Sequence, residues 1–110
     1  MADRIVRGDI WLYRFAPPDK RRPVLILSRN SLLEVVQTAT VAPITSTSHG
    51  APVEVQLGTE QGLKSDSWAN LANIVTVRRT DLVRWVGSVS PQVMKEICRA
   101  LNIAVGCDLA

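Results

Sequence analysis

The sequence predicts an α+β fold that is mainly β, with a strongly bent antiparallel sheet or a barrel packed on one C-terminal amphipathic helix. Three observations predict it. Five or six short segments rich in branched and aromatic residues alternate with turn residues. Only one long segment, near the C-terminus, has apolar residues at helical spacing. The length of 110 residues indicates a single domain over residues 1–110, and short strands with one helix favour this layered arrangement.

The first two predicted strands flank a compact turn. Residues 9–15 (DIWLYRF) are rich in β-forming residues, and the sequence APPD at residues 16–19 ends this strand. Residues 23–28 form a nearly continuous apolar segment. Because that segment does not alternate, we expect both of its faces to be covered.

The middle of the chain alternates strands with polar loops. Residues 31–36 predict one helical turn with Ser31 as its N-cap. Residues 38–44 predict a third strand, in which Pro43 indicates an edge position or a bulge. The polar loop TSTSHG follows at residues 45–50.

Three more strands are predicted after this loop. Residues 52–57 alternate between apolar and polar side chains, and residues 67–77 and 83–89 each predict one further strand. In the short connection between the last two, Thr80 is the predicted cap of a single turn.

The last segment predicts the only long helix. Ser90 is a suitable N-cap, Pro91 suits the first helical position, and Gly106 is a plausible stop. Between them, apolar residues recur at three- and four-residue steps and form one stripe, which comprises Val93, Met94, Ile97, Cys98 and Leu101.

Charge is concentrated near the N-terminus. The formal net charge is +3, and residues 1–30 contain seven basic against three acidic residues, whereas the remainder contains six against seven. This asymmetry favours an anionic partner. Cys98 and Cys107 are too few for a disulfide scaffold and predict buried free thiols in a reducing compartment. With no signal peptide and no apolar membrane span in the sequence, we expect a soluble, cytoplasmic protein.

Several classes of chemistry lack their sequence motifs. The chain has no GxGxxG, no GxxxxGK[ST], no GxSxG and no metal-ligand cluster, so no cofactor and no metal are predicted. His49 is the single histidine, which excludes a two-histidine acid–base pair within one chain. It is interpreted as a solvated loop residue, with substrate contact as the alternative.

The segment DKRRPVLILSRN combines the densest positive charge with the most apolar strand. Arg22 lies where the strand begins, and Pro23 restricts it to extended conformations, so its planar donor fork is well placed for a phosphate. Lys20 and Arg21, in the preceding turn, would attract a polyanion. The alternative is a solvated basic turn.

Taken together, RGDIWLYRF, RRPVLILSRN, TVAPITST and SDSWANLANIVTVRRTDL, in this order before an amphipathic helix, resemble the MazF/PemK family of toxin endoribonucleases. The resemblance covers roughly Val6 to Gly106. It implies an SH3-like barrel, a homodimer, metal-free and sequence-selective cleavage of single-stranded RNA, and neutralisation by a cognate MazE-like antitoxin.

The resemblance also implies a catalytic pair. The arginine of the R-P-V motif and the threonine of the I-T motif fall on Arg22 and Thr45. In the PemK-like branch an arginine and an aspartate act instead, and Asn70 and Ala72 occupy the matching positions, so this chain resembles the MazF-like branch. The connection APPDKRR is shorter than the glycine-rich loop of many members.

Substrate binding is predicted for residues in three segments. Cations and hydroxyl groups bind the phosphates of single-stranded RNA, and aromatic rings stack on its bases. The predicted RNA-binding residues are Lys20, Arg21, Ser46, Thr47, His49, Ser67, Trp68 and Asn70. Trp11, Tyr13 and Trp85 are further stacking candidates, but core packing is the commoner role of such rings.

Two other functions remain open for a chain of this fold. One is a gyrase-poisoning CcdB-like toxin, although the C-terminal sequence NIAVGCDLA lacks the aromatic residue through which those toxins act. The other is a non-catalytic nucleic-acid-binding module, for which RNA binding without cleavage would be the distinguishing result.

Overall fold

The computed structural model describes residues 4–16 and 21–107. In this part of the chain, seven strands precede a long C-terminal helix, and single 3₁₀ turns occupy residues 59–61, 71–73 and 79–81. The strands and α-helices are β1 (Asp9–Arg14), β2 (Arg21–Ile26), α1 (Asn30–Leu33), β3 (Thr38–Thr45), β4 (Glu54–Leu57), β5 (Ser67–Asn70), β6 (Val75–Arg78), β7 (Leu82–Ser88) and α2 (Pro91–Val105).

The strands form one antiparallel sheet in the order β4-β5-β3-β2-β1-β7, with β6 added to β3. This confirms the predicted mainly-β α+β class with a C-terminal helix. The sheet is open in the described residues, because its outer strands β4 and β7 are not hydrogen-bonded to each other. Instead, the turn after β4 lies against β7, where a Cβ added at Gly87 would be 1.8 Å from the Gln61 carbonyl oxygen.

β3 lies inside the sheet, and on the side away from β2 it changes its partner along its length. Its first half pairs with β6, ending at Val41 opposite Val75, and its end pairs with β5, starting at Ile44 opposite Ala69. Pro43, which has no N–H to donate, lies between these two segments. The predicted edge position is therefore wrong, because the change of partner accommodates the proline inside the sheet.

Both faces of β2 are buried, as its continuous apolar sequence predicts. Leu25 lies in a core that includes Ile97 and Ala100 of α2. Val24 and Ile26 lie in a second core on the opposite face, where Leu33 of α1 also packs. β2 is thus held from both sides, and only its first residues reach solvent.

α2 begins and ends where the sequence predicts. The Ser90 hydroxyl accepts a hydrogen bond from the Val93 amide at 3.2 Å, and Pro91 occupies the first turn. Gly106 ends the helix with a φ of 72°, a left-handed conformation that favours glycine. No helix in the described part of the chain is long and apolar enough to cross a membrane.

Two predicted caps are wrong. The N-cap of α1 is Arg29, without a side-chain hydrogen bond, so Ser31 already lies inside the helix. The turn at residues 79–81 exists, but it begins after Arg78 and Thr80 does not cap it. α1 is instead held by the buried Leu33, whereas the turn at residues 79–81 buries none of its residues.

The predicted strand over residues 67–77 is divided in the structure. The Asn70 side chain accepts a hydrogen bond from the Ala72 amide at 2.9 Å and caps a 3₁₀ turn, which separates β5 from β6. Such side-chain to backbone bonds compete with strand pairing. The break lets β5 and β6 pair with different parts of β3.

Both cysteines are free thiols, as predicted. Cys98 is half-buried on α2, whereas Cys107 is exposed just after the helix. The predicted burial is therefore wrong for Cys107, because the apolar stripe of α2 ends before it.

Candidate functional site

A pocket of about 410 Å³ opens at one end of the sheet, beside the beginning of β2 and the end of β3. Its lining combines cations, hydroxyl groups and apolar side chains. The lining residues are Leu12, Arg21, Arg22, Pro23, Ile44, Thr45, Ser46, Gly62, Leu63, Lys64, Ser65, Ser67, Arg84 and Val86. This volume is in the range that accommodates small ligands.

Arg22 and Thr45 lie at the same end of β2 and β3. The antiparallel pairing of these strands ends with Val24 opposite Pro43, and Arg22 and Thr45 each lie two residues beyond that pair. Both residues line the pocket. The two residues predicted as the catalytic pair thus come from distant segments to one pocket.

The far end of β2 is anchored by the R-G-D-I segment. The Gly8 amide donates to the Ile26 carbonyl at 2.9 Å. The Arg7 guanidinium donates to the Leu27 carbonyl and to Cys98 Sγ, which ties β2 to α2. These contacts hold the end of β2 that is opposite to Arg22. They therefore help to fix the backbone of the strand on which Arg22 lies.

The Thr45 hydroxyl has a defined partner. It donates to the Thr47 carbonyl at 3.0 Å. A hydroxyl that donates its one hydrogen retains two acceptor lone pairs. Thr45 is half-buried, whereas the neighbouring Ser46 and Thr47 are exposed. The hydroxyl therefore presents an acceptor towards the pocket it lines.

The pocket lining is strongly positive. Among the described residues, the lining contains four cations, Arg21, Arg22, Lys64 and Arg84, and no aspartate or glutamate. None of these four side chains forms an ion pair or a hydrogen bond with another described residue. Clustered cations of one sign concentrate anions in a cleft. The described residues also contain no group of three or more histidine, cysteine, aspartate or glutamate side chains placed for one metal ion.

The loop that carries His49 is organised by a carboxylate outside the pocket. The Glu54 carboxylate accepts hydrogen bonds from the amides of His49 and Ala51 and from the Ser48 hydroxyl. Desolvation raises the pKa of Glu54, but these donors, together with the His49 charge, outweigh it and leave the pKa below its ordinary value. His49 is exposed and does not line the pocket.

The predicted residues of β5 divide into two groups. Ser67 lines the pocket, and its hydroxyl donates to the Ser65 carbonyl at 3.1 Å. Trp68 is half-buried and opposite Thr45, so it lies next to the pair without lining the pocket. Asn70 lies beyond the pocket as the cap of the following turn.

Lys20 lies outside the described residues, so its position relative to the pocket stays a prediction. Of the other predicted site residues, the pocket brings together Arg21, Arg22, Thr45, Ser46 and Ser67. Thr47, His49, Trp68 and Asn70 do not line it.

Sequence reasoning missed the opposite wall of the pocket. Lys64 and Ser65 lie in the segment before β5, and Arg84 lies on β7. No local motif marks them, because they reach the pocket only through the curvature of the sheet. The close glycine contact between Gly62 and β7 is the structural feature responsible.

The sequence profile of the PemK-like, MazF-like toxins of type II toxin–antitoxin systems matches residues 6–105. The chain is 33% identical over 102 residues to the probable endoribonuclease MazF2 of Mycobacterium tuberculosis, which covers 92% of this chain and 98% of that protein. It is 36% identical over 105 residues to the probable endoribonuclease MazF5 of the same species, covering 93% and 94%.

Solved structures give the same result. The Mycobacterium tuberculosis toxin MazF-mt6 superposes with a TM-score of 0.84 at 32% identity, covering 91% of this chain and 98% of that one. A mycobacterial endoribonuclease solved in complex with its cognate antitoxin superposes with a TM-score of 0.86 at 25% identity, covering 97% and 100%.

Proposed function

This chain belongs to the PemK-like, MazF-like toxins of type II toxin–antitoxin systems, and from that premise we propose that it is a sequence-selective, metal-independent endoribonuclease of single-stranded RNA. The observation that carries the proposal is that Arg22 and Thr45 line the same pocket. The four cations of its described lining, with no carboxylate among the described lining residues, further support a polyanionic substrate.

The proposed reaction uses a nucleophile that RNA itself supplies. The 2′-hydroxyl oxygen forms a bond to the adjacent phosphorus and loses its proton, while the bond from phosphorus to the 5′-oxygen breaks. The 5′-oxygen leaves and takes up a proton. The products are a 2′,3′-cyclic phosphate and a 5′-hydroxyl, so no water nucleophile takes part.

Arg22 stabilises the charge that develops on the phosphoryl oxygens. Arginine carries a cationic, planar set of donors, which suits electrostatic stabilisation and not general-base work. β2 is buried on both faces beyond Pro23, so the guanidinium extends from a fixed backbone. A preorganised donor of this kind contributes roughly a hundred- to a thousandfold in rate.

Thr45 orients the attacking group. Since its hydroxyl already donates to the Thr47 carbonyl, its remaining capacity is to accept, and the 2′-hydroxyl is the donor available in the substrate. We assign Thr45 to holding that hydroxyl in line with the phosphorus. Because His49 does not line the pocket, the structure offers no support for its predicted contact there.

The toxin class also defines the proposed partners. The mycobacterial relative solved with its cognate antitoxin supports a MazE-like antitoxin for this chain. We propose a homodimer that acts in the cytoplasm, where single-stranded RNA is accessible. The residue assignments follow the MazF-like branch, since Asn70 and Ala72 in this chain lack the charges of the PemK-like pair.

The test compares the wild type with Arg22→Ala on a long single-stranded RNA in excess chelator, with analysis of the new RNA ends. We expect the wild type to cut at recurrent sites and leave cyclic phosphate ends, and the folded variant to be at least about a hundredfold slower. Arg78→Ala, an exposed arginine on β6 outside the pocket, is the matched control. Equal cleavage by Arg22→Ala would refute the site, and binding without cleavage by the wild type would favour a binding module.

A further inference from the structure

We infer that Lys64 and Arg84 form a second phosphate-binding subsite, which holds a phosphate of the RNA next to the one contacted by Arg22. The inference rests on the proposed function, because it deepens the description of how that substrate is held. It concerns the wall of the pocket opposite the beginning of β2.

The strand order places the second subsite across β1 from the beginning of β2. Leu12 of β1 is opposite Pro23 of β2 on one side and opposite Arg84 of β7 on the other. With neighbouring strands about 4.8 Å apart, the backbones at Pro23 and Arg84 are separated by roughly 10 Å. Arg22, the residue before Pro23, lines the same pocket as Arg84, so one RNA strand that crosses the pocket passes both cations.

Two glycines bring Lys64 to the same wall. A Cβ at Gly62 would lie 2.5 Å from the Val86 carbonyl oxygen, and one at Gly87 would lie 1.8 Å from the Gln61 carbonyl oxygen. Gly62 also has a φ of 93°, which other residues rarely adopt. The segment after β4 therefore packs directly on β7, and Lys64 and Arg84 both reach the pocket.

The chemistry of this wall fits one nucleotide. Lys64 and Arg84 are exposed cations without an ion-pair or hydrogen-bond partner in the described residues. The Ser65 and Ser67 side of the pocket adds hydrogen-bonding groups, and Leu12, Leu63 and Val86 give an apolar surface. A phosphate would relieve the repulsion between the cations, while the sugar and base would cover the apolar part.

The experiment measures the salt dependence of RNA binding. Lys64→Gln, Arg84→Gln and the double variant are titrated against a fluorescein-labelled single-stranded RNA by anisotropy, over a series of salt concentrations. Loss of one phosphate contact lowers the magnitude of the slope of log K against log salt by about 0.7. Because the two cations share one phosphate, we expect a decrease of that size for the double variant and a smaller decrease for each single variant. Lys95→Gln and Arg78→Gln, which remove exposed cations outside this pocket, are the matched controls.

Steady-state cleavage gives a second readout. We expect KM to rise in the variants with kcat little changed, since the contact is made equally in the ground state and the transition state. Slopes equal to the wild type, or equal losses in the controls, would overturn the subsite. If the wild type binds RNA but cleaves none, the nuclease proposal fails while the slopes still decide the subsite. A wild type that binds no RNA would overturn both.

Discussion

The role assigned to the Thr45 hydroxyl can be tested by a single substitution. Thr45→Val keeps the branched shape on β3 but removes the acceptor that we assign to the 2′-hydroxyl. We expect kcat to fall by about tenfold to a hundredfold, because misplacing a nucleophile costs rate at this scale, with little change in KM. Single-turnover cleavage measures it. Thr47→Val is the control, since Thr47 contributes its carbonyl to Thr45 and not its side chain, and an equal loss there would refute the assignment.

Glu54 makes the order of the loop around His49 depend on pH. Its pKa is lowered in the folded protein, so its contribution to stability is present above the ordinary pKa of 4.5 and is lost as the pH falls through the lowered value. We expect the amides of His49 and Ala51 to lose protection in that acidic range. Hydrogen exchange followed by NMR measures it, and Glu54→Gln should show weaker protection already at neutral pH. Protection unchanged in both cases would contradict this role.

At the scale of elements, the packing of the turn after β4 on β7 is the sharpest structural constraint. Gly87→Ala places a Cβ 1.8 Å from the Gln61 carbonyl oxygen, which is backbone and has to move. Overpacking of this kind costs typically about 1–3 kcal/mol of unfolding free energy, and here it should also widen the pocket. Urea unfolding measures the first effect. Gly58→Ala, whose Cβ would meet the Asp66 side chain at 3.5 Å, is the tolerant control.

The elements that the sequence predicts well have local causes. α2 is defined by Ser90, Pro91 and Gly106, all of which act within a turn of their own position. The division of residues 67–77 does not have a local cause, because Asn70 is compatible with either a strand or a turn. Pairing of β5 and β6 with different parts of β3 decides between the two. The edge position predicted for Pro43 is wrong for a related reason, because β3 changes its partner on either side of the proline.

The same distinction applies to the site. Arg22 and Thr45 are predicted through a resemblance that covers their local motifs, and the fold then brings both to one pocket. Lys64 and Arg84 lie in segments without any motif and become neighbours only when the sheet curves. A charge count along the chain cannot find them, since residues 31–110 contain six basic against seven acidic groups.

At the scale of the whole molecule, folding brings cations from the basic N-terminal segment together with cations from the rest of the chain. Arg21 and Arg22 come from that basic segment, whereas Lys64 and Arg84 come from the nearly neutral remainder. The pocket therefore combines cations from both parts of the sequence. A cleft of this kind steers a polyanion towards the end of the sheet where Arg22 and Thr45 lie.

The proposed homodimer predicts that one of the exposed apolar surfaces becomes buried. Val35, after α1, is 74% exposed, and Ile103, near the end of α2, is 48% exposed. We expect the purified chain to sediment at twice the 12.1 kDa monomer mass. Val35→Asp or Ile103→Asp, whichever lies in the interface, should raise the dimer Kd by at least about a hundredfold, since burying an unpaired carboxylate costs several kcal/mol.

Sedimentation equilibrium of both variants at micromolar concentration distinguishes the two surfaces. Gln92→Glu, at an exposed position of α2, is the control for added charge. If a variant stays dimeric, its substituted position lies outside the dimer interface. The apolar surface at that position is then the one left for the antitoxin, because large apolar side chains without a partner are characteristic of interaction sites. A monomeric wild type at these concentrations would contradict the dimer. In that case a single chain would have to bind and cleave RNA alone, with Arg22 and Thr45 on adjacent strands. A cleavage rate per chain that does not change with protein concentration would show this.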